Sequence, residues 1–165
     1  MAERKLLFDK EVAARKIERI GLEIAERIGE EKSEIILLGI HKNGPAIAEK
    51  LAKVLRDNGQ KVMVESITID KQTCSNVSLT GANNYKDKTV IVVDDVSNSG
   101  RTLLYAIEPL LIHRPKRIQI AVLVQRMHNE FPVTPDYVGQ SVATTKENHI
   151  EVEVRNGEVR GAFLL

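Results

Sequence analysis

Val90-Ile91-Val92-Val93-Asp94-Asp95-Val96-Ser97-Asn98-Ser99-Gly100-Arg101-Thr102 is the stretch on which the fold turns. Four apolar residues run into two carboxylates, a small-polar loop with one glycine follows, and a helical apolar pattern begins after Thr102. An unbroken apolar run suits a strand buried on both faces. The carboxylates fall where that strand emerges, and open α/β sheets gather ligands at the carboxyl ends of their strands. The loop then feeds a helix N-terminus, whose unpaired N–H groups and positive dipole end favour a phosphate. Carboxylates for hydroxyls or a metal, followed by amides for a phosphate, suit a ribose-phosphate ligand.

On either side of this stretch, strand and helix signals alternate. Residues 9–29 carry Ile17, Ile20, Ile24 and Ile28 at helical spacing, with Asp9 placed as N-cap. A buried strand is expected over 34–39, and Gly44-Pro45 opens a second helix that Asn58-Gly59 ends. Residues 61–70 read as a strand, and 71–88 as a long polar loop with few apolar anchors. Loops of that length are usually functional or mobile. After the strand at 89–94 comes a helix over 100–112, which Pro109 shortens or kinks. Residues 118–124 form another buried strand, followed by a proline-punctuated loop at 131–135 and a short strand around Tyr137-Val138. A terminal hairpin turns at Asn156-Gly157. The order predicts an α/β domain, a parallel sheet flanked by helices with a small β element appended.

Composition narrows the class. A chain of 165 residues is one domain on size, with enough length for a real core. With 42% hydrophobic and 28% charged residues it reads as globular rather than disordered. No apolar run approaches the ~20 residues of a membrane span, and MAERKLLFDKE lacks the core of a signal peptide. A formal charge of +1 creates no global field for nucleic acid or membrane. The lone Cys74 forms no internal disulfide, which fits a reducing cytoplasm. His41, His113, His128 and His149 show no zinc-ligand spacing.

Several chemistries share an acidic strand end. The metal-binding strand of a P-loop NTPase is one, and Gly39-Ile40-His41-Lys42-Asn43-Gly44 opens like a P-loop. It continues Pro45-Ala46 without the lysine and hydroxyl that clamp phosphate and metal, which excludes that reading. A phosphoacceptor receiver domain carries its acidic pair on the first strand, whereas here a β-α-β unit precedes it. The plainest reading makes Asp94-Asp95 solvated turn residues and Ser97 and Ser99 helix caps. The continuation through Ser-Gly-Arg-Thr weighs against it.

That continuation resembles the phosphoribosyl pyrophosphate (PRPP) signature of type I phosphoribosyltransferases. Gly39–Gly44 lies where the family's pyrophosphate loop follows the first buried strand. Leu123-Val124-Gln125-Arg126-Met127-His128-Asn129-Glu130-Phe131-Pro132 and Pro135-Asp136-Tyr137-Val138-Gly139-Gln140, with Ala143-Thr144-Thr145 after them, are similar to one subfamily. It comprises the pyrimidine-operon attenuation regulators that are also uracil phosphoribosyltransferases. The resemblance implies one phosphoribosyltransferase domain over 1–165, with a mobile loop at about 71–88, a hood at about 125–147 and a C-terminal β-hairpin. It further implies that Asp94 and Asp95 hold the ribose hydroxyls, directly or through Mg²⁺-bound water. Ser97, Asn98, Ser99, Gly100, Arg101 and Thr102 would wrap the 5′-phosphate. Lys42, Asn43 and Gly44 would face pyrophosphate, with Lys42 in the catalytic set beside the two aspartates. Tyr137, Val138 and Gly139 would lie over the base. Mg²⁺, PRPP, a nucleobase or nucleotide and a homodimeric partner are implied in the same way.

Departures from the pattern carry their own expectations. Asn98 stands where purine-specific relatives place an acid for the purine ring nitrogen, which points to a pyrimidine-like base such as uracil. Asn43 replaces the pyrophosphate-loop arginine, and Lys42 offers a point charge instead of a guanidinium fork. Ile69 stands near an expected arginine, with Lys71 close by. Gln125 and Met127 replace an acid and a glycine. These changes keep the cradle and weaken the pyrophosphate clamps, so a nucleotide-sensing regulator is the rival function. On the first helix Glu18 and Leu22 oppose RNA contact, since Glu18 would repel phosphate, and the nearby Arg15, Lys16 and Arg19 read as a solvated face.

Overall fold

A computed structural model gives the fold and describes residues 4–70, 72–81 and 84–165. The chain runs β1 (Lys5–Asp9), α1 (Lys10–Ile28), β2 (Ile35–Ile40), α2 (Gly44–Asp57), β3 (Val62–Thr68), β4 (Ser78–Leu79), β5 (Thr89–Ser97), α3 (Arg101–Leu111), β6 (Arg117–Arg126), β7 (Tyr137–Val142), β8 (Ile150–Arg155) and β9 (Glu158–Leu164). The main sheet has the order β4-β3-β2-β5-β6-β7, parallel except for the short β4. A second, antiparallel sheet has the order β1-β9-β8.

The continuous apolar runs feed two cores, one on each face. Ile35, Leu37, Ile91, Val93, Ala121 and Leu123 point toward α1 and α2, where Ile20, Ile24, Leu51 and Leu55 meet them. Their neighbours Ile36, Leu38, Val90, Val92, Ile120 and Val122 face Leu103, Ala106 and Leu110 of α3. Strand alternation therefore persists, hidden because both faces are dry. Asp9 caps α1 as expected, accepting from the Val12 N–H at 2.9 Å, and Pro45 sits in the first turn of α2. Helix α3 passes through Pro109 and ends at Leu111.

Three features differ from the sequence reading. Residues 5–9 form a strand against β9, so the appended element is a three-stranded sheet and not the hairpin alone. Strand β5 extends past its apolar run to Ser97, because Asp94, Val96 and Ser97 still pair with β6. The segment 71–88 carries anchors: β4 pairs with β3, and Cys74 and Tyr85 are buried. Lys71 lies outside the described residues.

Tyr85 is the firmest of those anchors. Its hydroxyl donates to the buried Glu65 carboxylate at 2.9 Å, and its ring meets His113 edge-on. Burial first, then this bond to a carboxylate, push the phenol far above its ordinary value. Above about pH 10, where an unfolded tyrosine ionises, the unfolded chain binds fewer protons than the folded one. Stability is therefore full below that pH and falls as pH rises through the window. Urea midpoints followed from about pH 9 to about pH 11 drop more steeply for wild type than for Tyr85→Phe. At neutral pH that variant is about 1–3 kcal/mol less stable, since Glu65 loses its donor. Parallel pH courses would remove this bond as an anchor.

Candidate ribose-phosphate site

The chain enters the main sheet at β2, moves to one side for β3, and crosses back for β5, β6 and β7. The order reverses between β2 and β5, and a crevice for ligands opens at the carboxyl ends of two such strands. The 41–43 turn after β2 and Asp94–Thr102 after β5 flank this point. Gly44 permits the approach: a Cβ there would stand 2.5 Å from the Val93 carbonyl oxygen.

Asp94 is 2% exposed, and its Oδ1 accepts the Asp95 N–H at 2.9 Å. Asp95 is half-buried; Oδ1 accepts the Val96 N–H at 2.7 Å and Oδ2 accepts Asn43 Nδ2 at 2.7 Å. The same Asn43 amide donates to the Val152 carbonyl at 3.0 Å. Asn43 thus ties the first loop to the acidic strand and to β8 of the second sheet. Both amide hydrogens are spent within the protein, so its observed bonds are those of a clasp on Asp95. Lys42 is exposed beside it. His41, also exposed, shares a hydrogen bond of 3.2 Å with Ser66, whose hydroxyl pairs with Thr80 at 2.8 Å.

Beyond the acids, Asp94, Ser97, Asn98, Ser99, Gly100, Arg101 and Thr102 line one pocket of about 70 Å³. That is several times the ~10–15 Å³ that one water needs by the same measure, room for a small tetrahedral anion. Gly100 has φ +88° as it turns the chain into α3, a conformation that glycine adopts without strain. No side chain caps α3, which leaves its first N–H groups directed at the pocket, apart from Arg101 N–H, which reaches Ser99 Oγ at 3.3 Å. The Ser99 carbonyl accepts from Glu130 and Phe131 at 2.9 and 3.1 Å, fixing the turn to the loop after β6. Among the described residues Ser97 Oγ is buried with no hydrogen-bond partner. A native hydroxyl left so is uncommon, and Ser97 is one of the residues lining the anion-sized pocket.

Tyr137, Val138 and Gly139 do not line this opening. They start β7 at the level of Ala121 and Val122, below the strand ends. The Tyr137 ring is wholly buried beneath the Arg27 guanidinium, its hydroxyl donating to Gln119 at 3.0 Å. The Val138 and Gly139 carbonyls accept from Arg19 of α1. What borders the phosphate turn instead is Arg126, His128, Glu130 and Lys146. The basic residues around the proline-rich loop were the available signal for them.

Among the described residues no three His, Cys, Asp or Glu side chains gather as a metal cage. Asp94 and Asp95 are hard oxygen donors, and Mg²⁺ commonly takes one or two carboxylates with substrate oxygens and water. The pair fits that ion when an oxygen-rich ligand shares it.

A parallel α/β sheet with acids and an anion turn at its switch point defines a phosphoribosyltransferase architecture. The chain belongs to the phosphoribosyl transferase domain family, whose model matches residues 9–156. It is 38% identical to the bifunctional protein PyrR of Clostridium acetobutylicum over 162 residues, covering 92% of this chain and 90% of that one. The PyrR of Pelotomaculum thermopropionicum is 35% identical over 175 residues, covering 98% and 96%. In fold the chain is similar to a hypoxanthine-guanine phosphoribosyltransferase of Bacillus anthracis, with TM-score 0.76 at 21% identity over 95% and 96% of the two chains. The hypoxanthine phosphoribosyltransferase of Trypanosoma cruzi gives 0.74 at 21%, over 84% and 81%.

Ser97→Ala separates a binding hydroxyl from a structural one. Removing a polar atom that has no partner leaves the free protein's stability unchanged or raises it by up to about 1 kcal/mol. Affinity for ribose 5-phosphate falls about tenfold, the share of one good hydrogen bond to a charged group. Denaturant melts and calorimetric titration read the two effects; a destabilised variant with unaltered affinity would contradict the assignment.

Proposed function

We propose that this protein binds PRPP with Mg²⁺ and transfers its phosphoribosyl group to a pyrimidine-like base, uracil being the base the family likeness favours. The observation that carries this reading is the buried, unpartnered Ser97 hydroxyl inside the anion-sized turn that follows Asp94-Asp95. In this reading Asp94 and Asp95 orient the ribose hydroxyls, and Ser97 to Thr102 hold the 5′-phosphate. Lys42 lies toward the pyrophosphate. A base nitrogen forms the bond to C1 of the ribose as the C1–O bond to pyrophosphate breaks; pyrophosphate departs with the electron pair, and the proton of the base N–H passes to solvent. Asp94 and Asp95 would hold Mg²⁺, which would supply charge neutralisation for the leaving group. The chain's own contribution is positioning of C1 between leaving group and base. Asn98 offers an amide where a purine would require a carboxylate.

A second reading has a specific observation behind it. Asn43 spends its amide on Asp95 and Val152, which leaves Lys42 as the loop's charge for pyrophosphate. A cradle that binds nucleotide while turning over slowly would act as a sensor. RNA attenuation draws less support. On α1, Arg19 is engaged by Glu23 and two carbonyls, while Glu18 and Leu22 are exposed. On α2, Lys50 and Lys53 pair with Glu158 and Asp57. A homodimer in the cytoplasm is what the likeness implies for assembly and location. No helix among the described residues is long and apolar enough to cross a membrane.

The deciding assay mixes protein, Mg²⁺ and PRPP with uracil, cytosine, hypoxanthine and guanine and follows pyrophosphate release. Release with uracil, falling at least a hundredfold in Asp94→Asn or Asp95→Asn (about 2.7 kcal/mol or more), is the expected outcome. Tight PRPP binding without release from any base would establish the sensor in place of the enzyme.

A further inference from the structure

The turn at 41–43 carries one lysine between two anchored neighbours. On one side Asn43 is clasped to Asp95 and to the Val152 carbonyl. On the other, His41 Nε2 meets Ser66 Oγ of β3 at 3.2 Å, and Ser66 Oγ meets Thr80 Oγ1 at 2.8 Å. The His41 backbone N–H also donates to the Ile67 carbonyl at 2.9 Å. Lys42 between them is exposed, with no ion pair among the described residues.

The hydrogens along the His41 side have a direction. Thr80 Oγ1 accepts the Ser66 backbone N–H at 3.1 Å and lies 3.2 Å from the Ser66 carbonyl oxygen. A carbonyl only accepts, so that contact is a bond when Thr80 donates its hydroxyl hydrogen there. Ser66 Oγ must then donate to Thr80 Oγ1, which leaves it to accept from His41 Nε2–H. In this order the imidazole, both hydroxyls and the Ser66 backbone groups are all paired. The reverse order, from Thr80 through Ser66 to Nε2, leaves the contact between Thr80 and the carbonyl without a hydrogen. The fuller arrangement makes His41 the donor that heads the chain. Its far end is Thr80, in the stretch just after β4, whose backbone N–H also reaches the Ser66 carbonyl at 2.9 Å.

We propose that His41 is a positioning residue for the phosphoribosyl donor: through Ser66 and Thr80 it braces the 41–43 turn on β3, so that Lys42 meets the pyrophosphate group on a backbone already in place. The inference rests on the phosphoribosyl-transfer reading above and deepens it. Asn43 has spent both amide hydrogens within the protein. Lys42 is a point charge on a flexible stem, and such a charge is only as well placed as the backbone that bears it. Ordering that must occur on binding subtracts from affinity. A turn pinned at both neighbours of its lysine has little backbone ordering left to undergo.

The test compares two ligands that share a 5′-phosphate and differ in the pyrophosphate group. PRPP and ribose 5-phosphate, each with Mg²⁺ and without a base, are titrated calorimetrically into wild type, His41→Leu, His41→Gln, Ser66→Ala and the double variant His41→Leu/Ser66→Ala. His41→Leu binds PRPP about fivefold more weakly, the share of one neutral hydrogen bond, and the loss for ribose 5-phosphate, which does not reach the turn, is smaller. Ser66→Ala reproduces that split with His41 intact, and the double variant loses no more than the weaker single one, as members of one chain do. His41→Gln, whose amide still donates, recovers most of the affinity. Equal losses for the two ligands would make the chain a general support of the fold and overturn the proposal. Wild-type PRPP affinity in Ser66→Ala beside a weakened His41→Gln overturns it too, since His41 would then act on the ligand directly. Wild type that binds ribose 5-phosphate as tightly as PRPP overturns this inference alone. Failure of both ligands overturns the ribose-phosphate reading beneath it.

Discussion

The close approach of one loop to one strand sets the rest of this molecule. A Cβ at Gly44 would stand 2.5 Å from the Val93 carbonyl oxygen, and one at Gly39 equally near the Pro45 nitrogen. Only glycine at both ends lets the connection from β2 into α2 lie directly on β5. That contact brings Asn43 within 2.7 Å of Asp95 and carries the second sheet along through Val152. Inserting even one methyl group into packing this tight costs about 1–3 kcal/mol, and here it would part the two halves of the switch point.

Because Asn43 clasps Asp95, the acidic pair is held before any ligand arrives. Asp95 receives a side-chain amide and a backbone N–H, Asp94 the next residue's N–H. The anion turn is equally braced, its Ser99 carbonyl fixed by two N–H groups from the loop after β6. Binding a ribose phosphate would then require little ordering of the protein, which preserves affinity. The pyrophosphate side is built differently. Lys42 is exposed, and the Asn43 amide is spent on Asp95 and Val152.

What the sequence made legible was whatever local signals decide. The Asp9 cap, the Pro45 start of α2, the Asn156-Gly157 hairpin and the buried strands before and after the acidic pair each depend on neighbours in the chain. Strand β1 escaped because Lys5–Asp9 becomes a strand only by pairing with β9 at the other end of the sequence. The extent of β5 escaped because Asp94 to Ser97 are polar yet still laddered to β6. The surroundings of Tyr137 escaped for a related reason: an aromatic in a short strand does not declare its face, and Arg27 and Gln119 hold its ring and hydroxyl. At the site, the cradle from Asp94 to Thr102 was legible as a contiguous motif. The clasp by Asn43 was not, since it arises from contacts between distant segments.

A crystal structure with ribose 5-phosphate and Mg²⁺ tests the central claim most directly. The expected density places the phosphate within hydrogen-bond distance of Ser97 Oγ and the backbone N–H groups that open α3, with the ribose hydroxyls toward Asp94 and Asp95. A phosphate seated elsewhere, with Ser97 Oγ still unpartnered, would contradict it.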